Sequence, residues 1–97
     1  MERYRIAVTA RLDLGRVWAF TASVRSVAEA DLYYENIQKC IERIVASPSS
    51  AGRHFPQTPV ELRGCRCGEY VIFYTTDADG IPTLRRIFHE SLCFSNT

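Results

Sequence analysis

Between Tyr70 and Glu90 the chain reads "YVIFYTTDADGIPTLRRIFHE", with Arg85, Arg86 and His89 set among Leu84, Ile87 and Phe88. Arginine supplies a fixed charge and a forked donor set suited to carboxylates and phosphates. Histidine can gain or lose a proton under mild conditions. Three such side chains on a strand with apolar neighbours form either a solvated face or a surface that docks or cleaves something. Arg63 and Arg66, in "ELRGCRC" just upstream, could add charge to it. Four cysteines, Cys40, Cys65, Cys67 and Cys93, raise the further options of disulfides or zinc. Structural zinc takes paired C-x-x-C-like spacings, whereas this chain has one C-x-C and two isolated cysteines, so neither metal nor cofactor is expected. Reduced thiols acting as small apolar side chains are the favoured reading.

The chain of 97 residues is read as a single domain over 1–97, large enough for a real but thin core. Its 46% hydrophobic and 24% charged composition is that of a soluble globular protein, not a disordered one. No apolar run approaches the roughly 18 residues of a membrane span, and no leader pattern opens the chain, so a cytoplasmic protein without a membrane role is expected. Eleven arginines and one lysine stand against eleven acids, for a net charge of +1. Nucleic-acid-binding domains usually carry a large basic excess, because phosphate neutralisation supplies much of their affinity. Direct sequence-specific nucleic-acid binding is therefore not expected.

Those side chains need elements to hold them. "RYRIAVT", Arg3 to Thr9, alternates like a half-buried strand. In "ARLDLGRVWAFTASV" the period changes: Leu14, Val17, Trp18, Thr21 and Val24 follow helical spacing, with Asp13, Arg16 and Arg25 largely opposite. Gly15 disfavours that helix by about 1 kcal/mol relative to Ala, which points to a first-turn position or a closely approaching neighbour. "SVAE" is a capping box, Ser26 with Glu29, opening a second helix. Its apolar stripe is Ala30, Tyr34, Ile37, Ile41 and Ile44, widened by Tyr33, Cys40 and Val45, and it ends near Ala46 because Pro48 restricts Ser47. "SPSSAGRHFPQTP" reads as a loop. Three strands follow, separated by turns at Cys67-Gly68 and at Asp77 to Gly80, with the middle strand central. The expected fold is α+β, in the order β-α-α-β-β-β, with a helical hairpin on one face of a small, mostly antiparallel sheet. The other sheet face, carrying aromatic and Arg side chains, is expected to lie open to a partner.

Several segments together resemble the RelE/ParE superfamily of bacterial type II toxin–antitoxin modules, and within it the ParE branch. They are "ARLDLGRVWAF", similar to the family's A-x-x-D-L-x-x-V/I-W pattern, then "EADLYYENI", "IERIVASPSSAGR" and "LRG…GEYVIFY". The last is "DGIPTLRRIFHE", similar to an I-x-R-V-L-H ending. The resemblance implies a toxin of the kind associated with plasmid stabilisation, held by a cognate ParD-like antitoxin. ParE-like members inhibit DNA gyrase by protein binding; RelE-like members cut mRNA on the ribosome.

Metal-free RNA cleavage needs a base, a proton donor and cations for the crowded phosphate charge. Arg66, Arg86 and His89 are the catalytic set if this chain is such an endoribonuclease. The tail "SLCFSNT" has no Tyr and the strand region no Lys, both of which RelE-like toxins employ. The ParE-like reading is therefore favoured, with Arg63, Arg66, Arg86 and His89 as target-binding candidates and Tyr70, Tyr74 and Phe88 as antitoxin-binding candidates. Each has an ordinary alternative. Arg85 and Arg86 point to opposite faces of a regular strand, so one of them is solvated or paired with an acid. His89 can be a hydrogen-bonded structural residue, and Trp18 and Tyr34 core aromatics. Asp77 and Asp79 suit a turn, with Gly80 supplying positive φ.

Overall fold

The computed structural model describes residues 3–55 and 61–90. The order is β1 (Arg5–Ile6), α1 (Val8–Val24), α2 (Val27–Ala46), β2 (Arg53–Phe55), β3 (Leu62–Cys67), β4 (Tyr70–Thr76) and β5 (Pro82–His89). The sheet runs β1-β5-β4-β3-β2, so β4 is central as expected. Every pairing is antiparallel except that of β1 with β5. One short strand is added to the expected order. It lies in the stretch read as loop, where Arg53 to Phe55 pair with Leu62 to Gly64 and extend the sheet at its edge.

The α2 stripe packs as its period dictates. Ala30, Ile37, Cys40, Ile41 and Ile44 are buried, and all but Ala30 cluster with Cys65, Cys67, Ile72, Tyr74, Leu84 and Ile87 from the sheet. At roughly 1.5–3 kcal/mol for each large side chain removed from water, this layer contact is the main apolar stabilisation. Ser26 accepts the Glu29 amide at 3.0 Å, but the Glu29 carboxylate turns to Arg25 instead, so only half of the capping box forms. Tyr34 was expected in the core and is 44% exposed. Tyr33 takes the inward place, its ring edge-on to Tyr70 at 4.9 Å.

The opening strand is much shorter than its alternation implies. After Ile6, the Ala7 amide bonds Leu84 O at 2.9 Å, and the chain turns into α1 at Val8. The rest of the β5 edge is met by this helix rather than by a strand. Thr9 Oγ1 donates to Arg85 O at 2.8 Å, and the Asp13 carboxylate accepts the Ile87 amide at 2.9 Å. Asp13, placed by period on the solvent side, is therefore buried. Gly15 is an exposed residue within α1, with ordinary negative φ and open space where a Cβ would sit, so neither expected reason for it holds.

A register shift between Phe73 and Tyr74 leaves Arg85 as an extra residue on β5, a β-bulge. Arg85 Nε reaches Thr75 Oγ1 at 3.0 Å, while Arg86 stands opposite Phe73. Thr75 and Phe73 share one face of β4, so both arginines reach the face away from α2, not opposite faces as a regular strand would impose. That face is not open at its centre: Val71 is 2% and Phe73 8% exposed. Cys93 and the tail following Glu90 lie outside the described residues. Among the described residues no helix is long and apolar enough to cross a membrane.

Two outcomes follow from these contacts. Gly15→Ala should raise stability by about 0.5–1 kcal/mol in thermal or urea unfolding, since the site is helical and uncrowded. No gain would mean that the helix needs the glycine for another reason. At the β4–β5 turn, the Thr83 hydroxyl and then Arg5 hold Asp77 below its ordinary value of 3.8, and Arg5 does the same for Asp79. Lowered carboxylates contribute stability above the ordinary value and lose it as pH falls through the lowered range. Arg5→Ala should therefore show a smaller drop in Tm between about pH 7 and about pH 3 than the parent chain.

Candidate functional site

The carboxylate of Asp13 is 6% exposed and accepts three donors. Arg86 Nε approaches Oδ2 at 2.8 Å, Arg86 Nη2 approaches Oδ1 at 3.2 Å, and the Ile87 amide shares Oδ2. This fork geometry is the strong form of a carboxylate–guanidinium contact. The hydrogen bond to Asp13 raises the Arg86 pKa further. The same guanidinium carbon lies 4.4 Å from the centroid of the Phe88 ring, a cation–π contact. Phe88 in turn meets Phe73 edge-on at 6.1 Å.

Beside this pair runs a cleft of about 290 Å³, walled by α1 through Asp13, Arg16, Val17 and Phe20 and by the sheet through Tyr70, Arg86, Phe88 and His89. A larger cleft of about 480 Å³ continues past the shared residues Phe20, Tyr70 and His89 to Leu32, Tyr33 and Cys67. Tyr70 stacks edge-on to His89 at 5.3 Å, and burial raises its phenol pKa. His89 Nε2 lies 3.8 Å from the Glu69 carboxylate. The Tyr33 hydroxyl is buried with no hydrogen-bond partner among the described residues, and burial raises its pKa strongly.

The residues singled out in the sequence divide. Arg86, His89, Tyr70 and Phe88 meet in the smaller cleft. Arg66 is on the outer face, ion-paired with Glu90, and is absent from the lining of both clefts. Arg63 donates to Gly52 O at 3.1 Å near the opposite sheet edge. Tyr74 offers no docking surface: it is fully buried and its hydroxyl donates to Pro48 O at 2.6 Å, which corrects its antitoxin-binding assignment. Sequence reading missed the contribution of α1, namely Asp13, Arg16, Val17 and Phe20. One signal was available for Asp13: a lone acid between Leu12 and Leu14. Among the described residues the large exposed apolar side chains are on the helices, where Val8, Leu12, Phe20, Val24, Val27 and Leu32 are each more than half exposed. Among the described residues no group of three or more His, Cys, Asp or Glu side chains is arranged to hold a metal ion.

Residues 4–91 match the family model of the ParE toxin of type II toxin–antitoxin systems. The chain belongs to the ParE toxin family. It is 26% identical over 91 residues to Toxin ParE1 of Mycobacterium tuberculosis, from strains CDC 1551 / Oshkosh and H37Rv alike, covering 94% of this chain and 92% of that protein. Among solved structures, it is similar to a chain of the chromosomal ParDE system of P. aeruginosa, with a TM-score of 0.76 and 10% identity over 89% of this chain and 92% of the other. It is also similar to a chain of the RelBE2 toxin–antitoxin complex of Mycobacterium tuberculosis, with a TM-score of 0.55 and 21% identity over 89% and 94%. At these identities the structural likenesses speak to the fold.

Replacing Asp13 with Ala orphans the Ile87 amide and unpairs Arg86. Because Arg86 is partly exposed and can be rehydrated, the loss should be about 2–3 kcal/mol in urea unfolding, rather than the larger value of a fully buried ion pair. The Asp13→Ala, Arg86→Ala cycle should show a coupling of at least about 1 kcal/mol. Simple additivity would mean that the pair is not what seats α1.

Proposed function

We propose that this ParE-family toxin acts in the cytoplasm as a binding module, inhibiting DNA gyrase until a cognate ParD-like antitoxin covers it. The observation that carries the reading is the state of its cations. Arg86 is held by Asp13, and Arg66 by Glu90. A phosphate-cleaving site requires guanidinium groups that converge on developing negative charge. Here Arg86 and Arg66 are each already neutralised by a carboxylate, and of these two only Arg86 stands with His89 in one cleft. Docking asks instead for shape, an aromatic centre and a polar rim. Tyr70, Phe88, Phe20 and His89, rimmed by Arg16 and Arg86, supply those features. The target-binding residues in this reading are Arg86 and His89, with Arg66 and Arg63 as more distant contributors. Tyr70 and Phe88 receive the antitoxin, together with the exposed apolar residues of α1.

The purified chain at micromolar concentration should suppress gyrase supercoiling and accumulate cleaved DNA, and equimolar antitoxin should reverse both. Phe88→Ala should weaken the antitoxin's reversal about tenfold or more, as loss of a central aromatic anchor does. Unimpaired supercoiling would overturn the proposal. A second reading, ribosome-dependent mRNA cleavage, is favoured by the shared placement of Arg86 and His89. It requires message cutting that disappears in His89→Ala and leaves gyrase unaffected.

A further inference from the structure

We propose that Cys40, Cys65 and Cys67 form a reversible oxidation site, in which a peroxide converts Cys40 and one β3 thiol into a disulfide joining α2 to β3. The three thiols are buried and free, and they come from two elements of different layers. Cys65 and Cys67 flank Arg66 and share the strand face turned toward α2. Cys40 Sγ lies 3.5 Å from Arg66 O, which places it above the strand between them, and all three thiols belong to one buried cluster. Two residues along a strand span about 6.6 Å, the upper end of disulfide reach, so Cys65 and Cys67 are poorly placed to join each other. Oxidation must therefore use Cys40.

Buried thiols in apolar surroundings are ordinarily inert. This cluster differs because Arg43, three residues further along α2, places Nη2 3.2 Å from Cys40 Sγ and 2.8 Å from Arg66 O. Hydrogen bonds from Cys65 and Cys67, together with the guanidinium, lower the Cys40 pKa against the opposing effect of burial. Cys65 and Cys67, bonded to Cys40 and desolvated, are pushed up and keep their protons. The guanidinium at Cys40 thus favours that sulfur as the nucleophile over Cys65 and Cys67. Cys67 also lines the larger cleft, an entry for an oxidant little bigger than water.

The step balances. The Cys40 thiolate sulfur attacks one peroxide oxygen, the O–O bond breaks, and hydroxide leaves and takes up a proton as water. Cys40 is then a sulfenic acid. The sulfur of Cys65 or Cys67 attacks it, the S–O bond breaks, and the departing hydroxide leaves with the thiol proton as a second water. The two sulfurs lose the two electrons that reduce the peroxide, and a dithiol reductant reverses the bond.

The test uses the full chain carrying Cys93→Ser, exposed to hydrogen peroxide, then denatured, alkylated and mapped by mass spectrometry. Expected are loss of two hydrogens, a cross-linked peptide pairing Cys40 with Cys65 or Cys67, and Tm raised by roughly 5–10 °C and restored by dithiothreitol. Arg43→Gln, a change on an exposed side chain that leaves the core intact, should slow the oxidation about tenfold, whereas Arg43→Lys should keep most of the rate. A sulfinic acid on Cys40 without a cross-link, a Cys65–Cys67 bond, or an Arg43→Gln rate equal to the parent's would each overturn the proposal.

Discussion

The fold turns on one buried carboxylate. β1 pairs with β5 for only two residues, Arg5 with Thr83 and Ile6 with Leu84, and the remaining β5 edge would otherwise show unpaired amides and carbonyls. Asp13 resolves this from the side of a helix. By accepting the Ile87 amide and both Arg86 donors, it substitutes for a neighbouring strand and anchors α1 against the sheet. A buried carboxylate without such donors would be prohibitively unfavourable, so helix position and sheet edge determine each other.

That constraint shapes the cleft. Seating α1 along the β5 edge brings Arg16, Val17 and Phe20 opposite Tyr70, Phe88 and His89. It also commits Arg86, a cation lining the cleft, to an internal partner while leaving its guanidinium carbon over the Phe88 ring. The result is an aromatic recess with a charged rim in which Arg86 is balanced at short range by Asp13. Such a surface discriminates by shape and hydrogen bonding more than by bulk attraction, in keeping with a net charge of +1. The bulge at Arg85 contributes by turning both arginines to one side, which frees the α2 side of β5 for Leu84 and Ile87.

Apolar exposure is concentrated elsewhere than the alternating strands imply. Val71 and Phe73 are buried, whereas Val8, Leu12, Phe20, Val24, Val27 and Leu32 of the helical hairpin face outward. The hairpin is thus apolar toward the sheet and partly apolar away from it. A helix contacting a sheet edge buries only a narrow stripe, and α1 buries Ala10 and Asp13 with partial cover over Leu14 and Val17. The remainder of its apolar surface has no internal use.

The linear chain was enough to determine the elements whose signals are local. The α2 stripe, the stop before Pro48, the turn with positive φ at Gly80 and the central place of β4 follow from periodicity, proline geometry and glycine freedom. Which of the arginines are already engaged was decided only by tertiary structure, because that depends on pairs such as Asp13 and Arg86, distant in sequence and joined by a helix docking on an edge. The bulge that placed Arg85 and Arg86 on one face, the pairing of Arg53 to Phe55 and the burial of Tyr74 are likewise properties of register. Register is set by the whole sheet at once, and no single strand carries enough information in its own side chains to define it.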